Sequence, residues 1–124
     1  MKIARYGYST DSEAPVSPVL FNHRFLNLGM RYNNVIFIIE DPGYYRIEIK
    51  SYTYDGKTDS KWVGFDLKIN SSWKLRQMSR WAAAVPGSAV FYLNAFDTVY
   101  VSLAGNGKLA AGANYNDIQI EKIN

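Results

Sequence analysis

The stretch Pro42-Gly43-Tyr44-Tyr45-Arg46-Ile47-Glu48-Ile49-Lys50-Ser51-Tyr52 decides how this chain reads. Pro-Gly is a strong turn signal. After it, Tyr45, Ile47 and Ile49 alternate with Arg46, Glu48 and Lys50. Successive strand residues point to opposite faces, so the pattern predicts a strand with one apolar and one charged face. The same logic extends outward. Upstream, Val35 to Ile39 is continuously apolar and ends at Glu40-Asp41. Downstream, Asp55-Gly56 reads as a hairpin turn. Val63, Phe65, Leu67 and Ile69 then face away from Trp62, Asp66 and Lys68, and Asn70-Ser71-Ser72 turns the chain.

The other segments repeat this texture. Ile3 to Tyr8 is a first run, followed by a polar stretch from Ser9 to Ser17, with Pro15 and Pro18 as punctuation. Val19-Leu20-Phe21 is a short apolar run, and Phe25, Leu26 and Leu28 precede Gly29. Trp73 to Ala84 is ambiguous, because Ala82-Ala83-Ala84 favours helix locally. Alternation also fits it, with Trp73, Leu75, Gln77, Ser79 and Trp81 opposite Lys74, Arg76, Met78 and Arg80. Its place between β runs selects strand. Pro86-Gly87 is expected to break the chain. Ala89 to Leu93 follows as a strand, with Phe91 and Leu93 inward and Val90 and Tyr92 outward. Val99, Val101 and Leu103 alternate with Tyr100 and Ser102; Ala104 to Asn114 reads as a long loop; Ile118, Ile120 and Ile123 mark the last run. About ten short strands without a convincing helix is the pattern of a sandwich or jelly roll. The expected core comprises Tyr45, Ile47, Phe65, Leu67, Phe91, Leu93, Val99, Val101 and Ile120.

Composition agrees with an all-β globular domain spanning 1–124. Aromatic residues make up 15 % of the 124 residues and hydrophobic residues 48 %, and aromatic and β-branched side chains suit a pleated, half-buried surface. Cysteine is absent and His23 is the one histidine. Disulfide scaffolds, thiolate metal sites, cysteine nucleophiles and multi-histidine sites are therefore excluded. The net charge of +3 is small and dispersed, with Lys74, Arg76 and Arg80 as the local basic group. Nucleic-acid proteins carry a denser patch, so no nucleic-acid partner is expected. No stretch approaches the roughly 20 apolar residues of a membrane helix, and Met1 to Tyr6 lacks the apolar region of a secretory leader. The expectation is a chain made without a signal peptide and without membrane insertion.

At this point the order of residues resembles a known family. Val19-Leu20-Phe21, Leu26-Asn27-Leu28-Gly29, Tyr32, Phe37-Ile38-Ile39 and Pro42-Gly43-Tyr44-Tyr45 are similar to the first half of the complement C-one-q globular head. Gly87-Ser88-Ala89-Val90-Phe91-Tyr92-Leu93 and Asp97-Thr98-Val99-Tyr100-Val101 resemble its second half, with Phe96 where the family usually has glycine. The terminal Ile118-Gln119-Ile120-Glu121-Lys122-Ile123 resembles bacterial and phage versions of the last strand. The resemblance implies a ten-stranded antiparallel jelly roll of the complement C-one-q and tumour necrosis factor type. It also implies a homotrimer and a binding module rather than an enzyme, with no cofactor. Without a collagen repeat, a bacterial, spore-surface or phage member is implied.

The resemblance places one sheet against neighbouring protomers. Val90 and Tyr92 fit such a face. Arg46, Glu48 and Lys50 do not fit it as apolar residues. They either pair between protomers, contributing registry more than stability, or line a wet face; pairing is the preferred reading. For recognition, loops on a rigid scaffold commonly carry binding. Trp62 and Lys61 close the first polar loop, and Asn106 and Tyr115 lie in the second. Trp62, Trp73 and Trp81 are the tryptophan candidates for binding, and Trp62 and Tyr115 could stack on a sugar or anchor a protein surface. His23 reads as structural or solvated, and Asp97 as a turn residue bonding backbone amides. Asp55, Asp59 and Asp66 follow no calcium-loop spacing, and Gly105-Asn106-Gly107-Lys108 lacks the spacing of a phosphate loop. Two functions follow. One is a trimeric recognition or display module on a virion, spore or cell surface, binding a receptor or glycan, as in a phage receptor-binding head. The other is a capsid decoration or cement protein bound to coat subunits, with Ser9 to Ser17 as an arm.

Overall fold

The structure is a computed structural model that describes residues 1–8, 19–33, 35–52, 63–79, 84–105 and 116–124. Its elements are β1 (Ile3–Gly7), β2 (His23–Leu28), β3 (Arg31–Tyr32), β4 (Phe37–Ile38), β5 (Gly43–Tyr52), β6 (Val63–Ile69), β7 (Ser72–Ser79), β8 (Ala84–Leu93), β9 (Thr98–Gly105) and β10 (Asp117–Lys122). They form two five-stranded sheets, ordered β2-β1-β10-β5-β8 and β3-β4-β9-β6-β7. Every pairing is antiparallel. The chain crosses repeatedly between the sheets, while β1–β2, β3–β4 and β6–β7 each stay within one.

The alternation of β5 is realised. Tyr45, Ile47 and Ile49 are buried between the sheets, and Arg46 and Glu48 are exposed on the outward face. From the facing sheet come Phe65, Leu67, Ile69, Val99 and Val101, and Ile118 and Ile120 of β10 complete the centre. Phe21 meets Phe65 edge to face with ring centroids 5.7 Å apart. At the β3–β4 side Tyr6, Tyr32 and Phe37 form one aromatic cluster; Tyr32 lies 4.4 Å from each of the other two rings. The Tyr32 hydroxyl accepts from the Phe21 N–H at 3.1 Å, so this half-buried phenol is hydrogen-bonded, as polar groups removed from water generally are. Of the nine expected core residues, Phe91 alone is only partly buried, packed against the cluster from β8. Edge position alone does not set this, since Leu93 of the same edge strand is 1 % exposed.

Turn chemistry explains the joints. The β6–β7 hairpin turns on Asn70 and Ser71, with φ of 51° and 69°. Positive φ at both central residues is the type I′ geometry that matches strand twist. Asn27 Oδ1 accepts from the Met30 N–H at 3.0 Å, and Gly29 between them has φ 77°. Gly43 opens β5 where the chain ends run together. A Cβ there would overlap the Asn124 carbonyl oxygen, and the Tyr44 N–H donates to that same oxygen at 2.9 Å.

Four features differ from the sequence reading. β5 and β6, consecutive in the chain, belong to different sheets and do not pair with each other; Asp55-Gly56 between them lies outside the described residues. The strand at Ala89 begins earlier, at Ala84, and runs through Pro86-Gly87, with Pro86 opposite Lys50. An edge strand tolerates proline because only one side needs ladder hydrogen bonds. β9 continues through Ala104, which is buried, to Gly105. Finally, β7 is a strand over Ser72–Ser79, as alternation predicted, but a bulge at Lys74 shifts its register: Leu75 opposes Leu67 while Trp73 opposes Lys68. One extra residue reverses the facing of what precedes it. Trp73 is therefore 58 % exposed, while Leu75 packs on the core.

Candidate functional site

The outward face of the sheet β2-β1-β10-β5-β8 can be written as rows of register partners. Tyr92 and Tyr44 form the first, on β8 and β5. The second is Val90, Arg46, Glu121, Ile3 and Leu28, one residue from each of the five strands. The third is Ser88, Glu48, Gln119, Arg5 and Leu26. The fourth centres on Lys50 and Asp117. The face thus grades from aromatic and apolar at the Tyr44 end to charged at the Lys50 end.

At the aromatic end, Tyr44 and Tyr92 are 48 % and 55 % exposed, and their rings meet edge to face with centroids 5.1 Å apart. In the adjoining row Val90 is exposed on β8 and Leu28 at the far edge on β2, and Ile123, whose N–H bonds to the Tyr44 carbonyl at 2.8 Å, is exposed beside Tyr44. Aromatic and aliphatic side chains gathered on one face mark an interaction surface rather than scattered exposure.

At the charged end the ions are matched within the chain. Asp117 is buried and accepts from Arg5 Nε at 2.9 Å and Nη2 at 2.6 Å. Lys50 Nζ approaches the same carboxylate at 3.8 Å. One acid therefore laces β1, β10 and β5. Arg46 pairs with Glu121 at 3.5 Å. Glu48 has no ion-pair partner among the described residues; it borders a cleft of about 150 Å³ with Arg5, Lys50, Asp117 and Gln119. Of the three charges expected to pair between protomers, Arg46 and Lys50 thus already have partners in their own chain. Sequence reading missed Arg5, Asp117 and Glu121, since the pairs join strands distant in the chain.

Of the loop residues expected to bind, Trp62, Lys61, Asn106 and Tyr115 lie outside the described residues, as do Asp55, Asp59, Trp81 and the Ser9 to Ser17 stretch. The strand ends they join are described. Gly7, Tyr52, Ala84 and Asp117 share one end of the first sheet, and Val63, Ser79 and Gly105 share one end of the second. That end of the first sheet lies opposite Tyr44 and Tyr92. His23 lies exposed on edge strand β2, its ring 4.6 Å from Phe25. Asp97 is a turn residue as expected: its Oδ2 accepts from the Asn94 N–H at 2.7 Å. Among the described residues no helix is long and apolar enough to cross a membrane.

No family model and no curated protein sequence matches this chain. Solved structures do. Murine APRIL at pH 8.5 superposes with a TM-score of 0.77 at 16 % identity, covering 98 % of each chain. Murine APRIL at pH 8.0 gives 0.75 at 16 % identity, and at pH 5.0 it gives 0.73 at 15 %, each again covering 98 % of both chains. The fold is accordingly the tumour necrosis factor-like jelly roll, in agreement with the resemblance read from the sequence.

Proposed function

We propose that this protein is a non-catalytic homotrimeric binding or display module. Protomers meet through the outward face of the β2-β1-β10-β5-β8 sheet, and the loop end recognises a receptor or glycan on a virion, spore or cell surface. The observation that carries the reading is the Tyr44–Tyr92 edge-to-face pair standing exposed next to Val90 on β8. Such rings are costly to leave in water and are typical anchors of an interface core. Arg46, Glu48 and Lys50 then form the polar part of that contact, with Glu48 free to meet a cation from a neighbour. The recognition surface is assigned to the loop end because Trp62, Lys61, Asn106 and Tyr115 belong to segments joining strand ends remote from Tyr44.

Sedimentation at micromolar concentration tests the assembly. The expected mass is three times 14.1 kDa, and Tyr44→Ser with Tyr92→Ser should lower it toward the monomer while the β-sheet circular dichroism persists. A parent chain that sediments as a monomer would exclude the trimer. Trp62→Ala and Tyr115→Ala should weaken attachment to the natural surface and leave the mass unchanged. Attachment equal to the parent in both would favour a coat-cementing protein instead.

A further inference from the structure

The outward face of the other sheet carries a second cluster that the trimer does not use. Asp66 on β6 is 8 % exposed although it faces outward from the core. Its carboxylate is covered by Arg76 of β7, which donates from Nε at 2.7 Å and from Nη2 at 3.0 Å. This two-point fork holds the guanidinium in one orientation and uses two of its five N–H donors, leaving three. The guanidinium carbon lies 5.7 Å from the centre of the exposed Trp73 ring. Trp73 and Arg76 are three residues apart, a spacing that puts strand side chains on opposite faces. The bulge at Lys74 brings them to the same one. Lys68 sits in register between Trp73 and Tyr100, and Ser102 beside Asp66.

The cluster therefore offers one open indole face, a guanidinium held in place with free donors, and a further cation, Lys68. Two cations stand against one carboxylate, and that carboxylate is already engaged by Arg76. We propose that this face binds an acidic saccharide: a pyranose ring lies on Trp73 through its C–H face, and its carboxylate takes the free N–H groups of Arg76, with Lys68 adding charge. Asp66 acts as a positioning residue. Single-stranded nucleic acid would use successive stacking platforms along a basic groove. Here one exposed indole and an excess of one positive charge match a single charged sugar better. The proposal rests on the reading of the protein as a recognition module and moves glycan contact from the loops to the β6–β7 face.

The probe is a hyaluronan tetrasaccharide, which carries glucuronate, titrated calorimetrically into the full chain. Chitotetraose serves as the neutral control and a thymidine tetranucleotide as the polyanion control. The expected result is binding of the glucuronate-bearing probe alone, lost by about tenfold or more in Trp73→Ala and in Arg76→Lys, with sedimentation mass and melting temperature as in the parent. Asp66→Asn should weaken binding less than Arg76→Lys, since the fork keeps one acceptor. Equal binding of chitotetraose, tighter binding of the tetranucleotide, no binding at millimolar probe, or variants that bind like the parent would each overturn the proposal. If that happens while the chain still sediments as a trimer and attaches to its surface through Trp62 and Tyr115, the module reading stands without it. A monomer that nevertheless binds glucuronate through Trp73 would have the opposite meaning.

Discussion

Asn70 and Asp97, 27 residues apart, join the β6–β7 turn to the β8–β9 turn: Asn70 Nδ2 donates to Asp97 Oδ1 at 2.8 Å. Asn70 Oδ1 accepts from the Thr98 N–H at 2.9 Å, and the Asn70 N–H donates to the Thr98 carbonyl at 3.0 Å. The other Asp97 oxygen holds the Asn94 N–H. Two reversals of the chain thus share one polar staple at the Tyr44–Tyr92 end of the molecule.

That staple can be taken apart. Asn70 has φ 51°, a conformation asparagine tolerates better than most residues. Asn70→Ala loses both the side-chain bonds and that tolerance and should cost about 1–2 kcal/mol in urea unfolding. Asn70→Gly keeps the backbone conformation, so it should cost less than alanine. Equal losses would mean that the backbone conformation contributes nothing measurable.

Phe96 is the reverse case. It is 78 % exposed, has φ 71°, and its N–H donates to the Ile39 carbonyl at 2.6 Å. A bulky residue pays for positive φ where glycine does not. Phe96→Gly should raise the stability of the isolated protomer by about 0.5–1 kcal/mol, the left-handed penalty less the entropy glycine adds to the unfolded chain. A fall in stability that grows with protein concentration would instead place the Phe96 ring in an assembly contact.

Asp117 binds two cations from two strands. Asp117→Ala leaves Arg5 and Lys50 facing each other without their shared acid, and should cost about 1.5–3 kcal/mol. Asp117→Asn keeps an acceptor for Arg5 and should cost less. Thermal melts of both variants check the order, and an alanine variant as stable as the parent would show that solvent replaces the pair.

Burial holds the Tyr32 phenol well above its ordinary range, with the neighbouring Tyr6 adding to the effect and the Phe21 backbone bond opposing it. Burial raises Tyr45 as well, and the Asp41 charge adds to that. A raised value means that the unfolded chain gives up its proton first. The stabilisation is complete below the unfolded tyrosine value of about 10 and falls as pH rises above it. Denaturant midpoints should therefore be flat toward about pH 9 and drop steeply above about pH 10. Tyr32→Phe should flatten that drop while costing some stability at neutral pH through the lost Phe21 contact. An unchanged alkaline slope in the variant would assign the drop to other groups.

Much of this architecture is local and was legible as such. The alternation in Tyr44 to Lys50 gave both the strand and its buried face, because side-chain direction in a strand depends only on residue parity. The same held for Phe65, Leu67 and Ile69, for Val99 and Val101, and for Ile118 and Ile120. The turn at Asn70-Ser71 was legible from residue type. The glycine position occupied by Phe96 was legible from its motif, and the structure puts that residue at positive φ.

What the tertiary structure alone decided is pairing. Which strand lies beside which is a long-range choice: β5 and β6 follow one another in the chain yet belong to different sheets. Pro86 looked like a break because nothing in the residue order marks β8 as an edge, where a missing N–H is tolerated. Phe91 was assigned correctly to the inward face, but how deeply it is buried depends on its neighbours across the sandwich. The ion pairs of Arg5, Lys50 and Asp117 arise only when β10 inserts between β1 and β5. Above all, the bulge at Lys74 turned Trp73 out of the expected alternation and set it beside Arg76. Parity fixes direction only relative to a continuous ladder, and one added residue in the strand resets it.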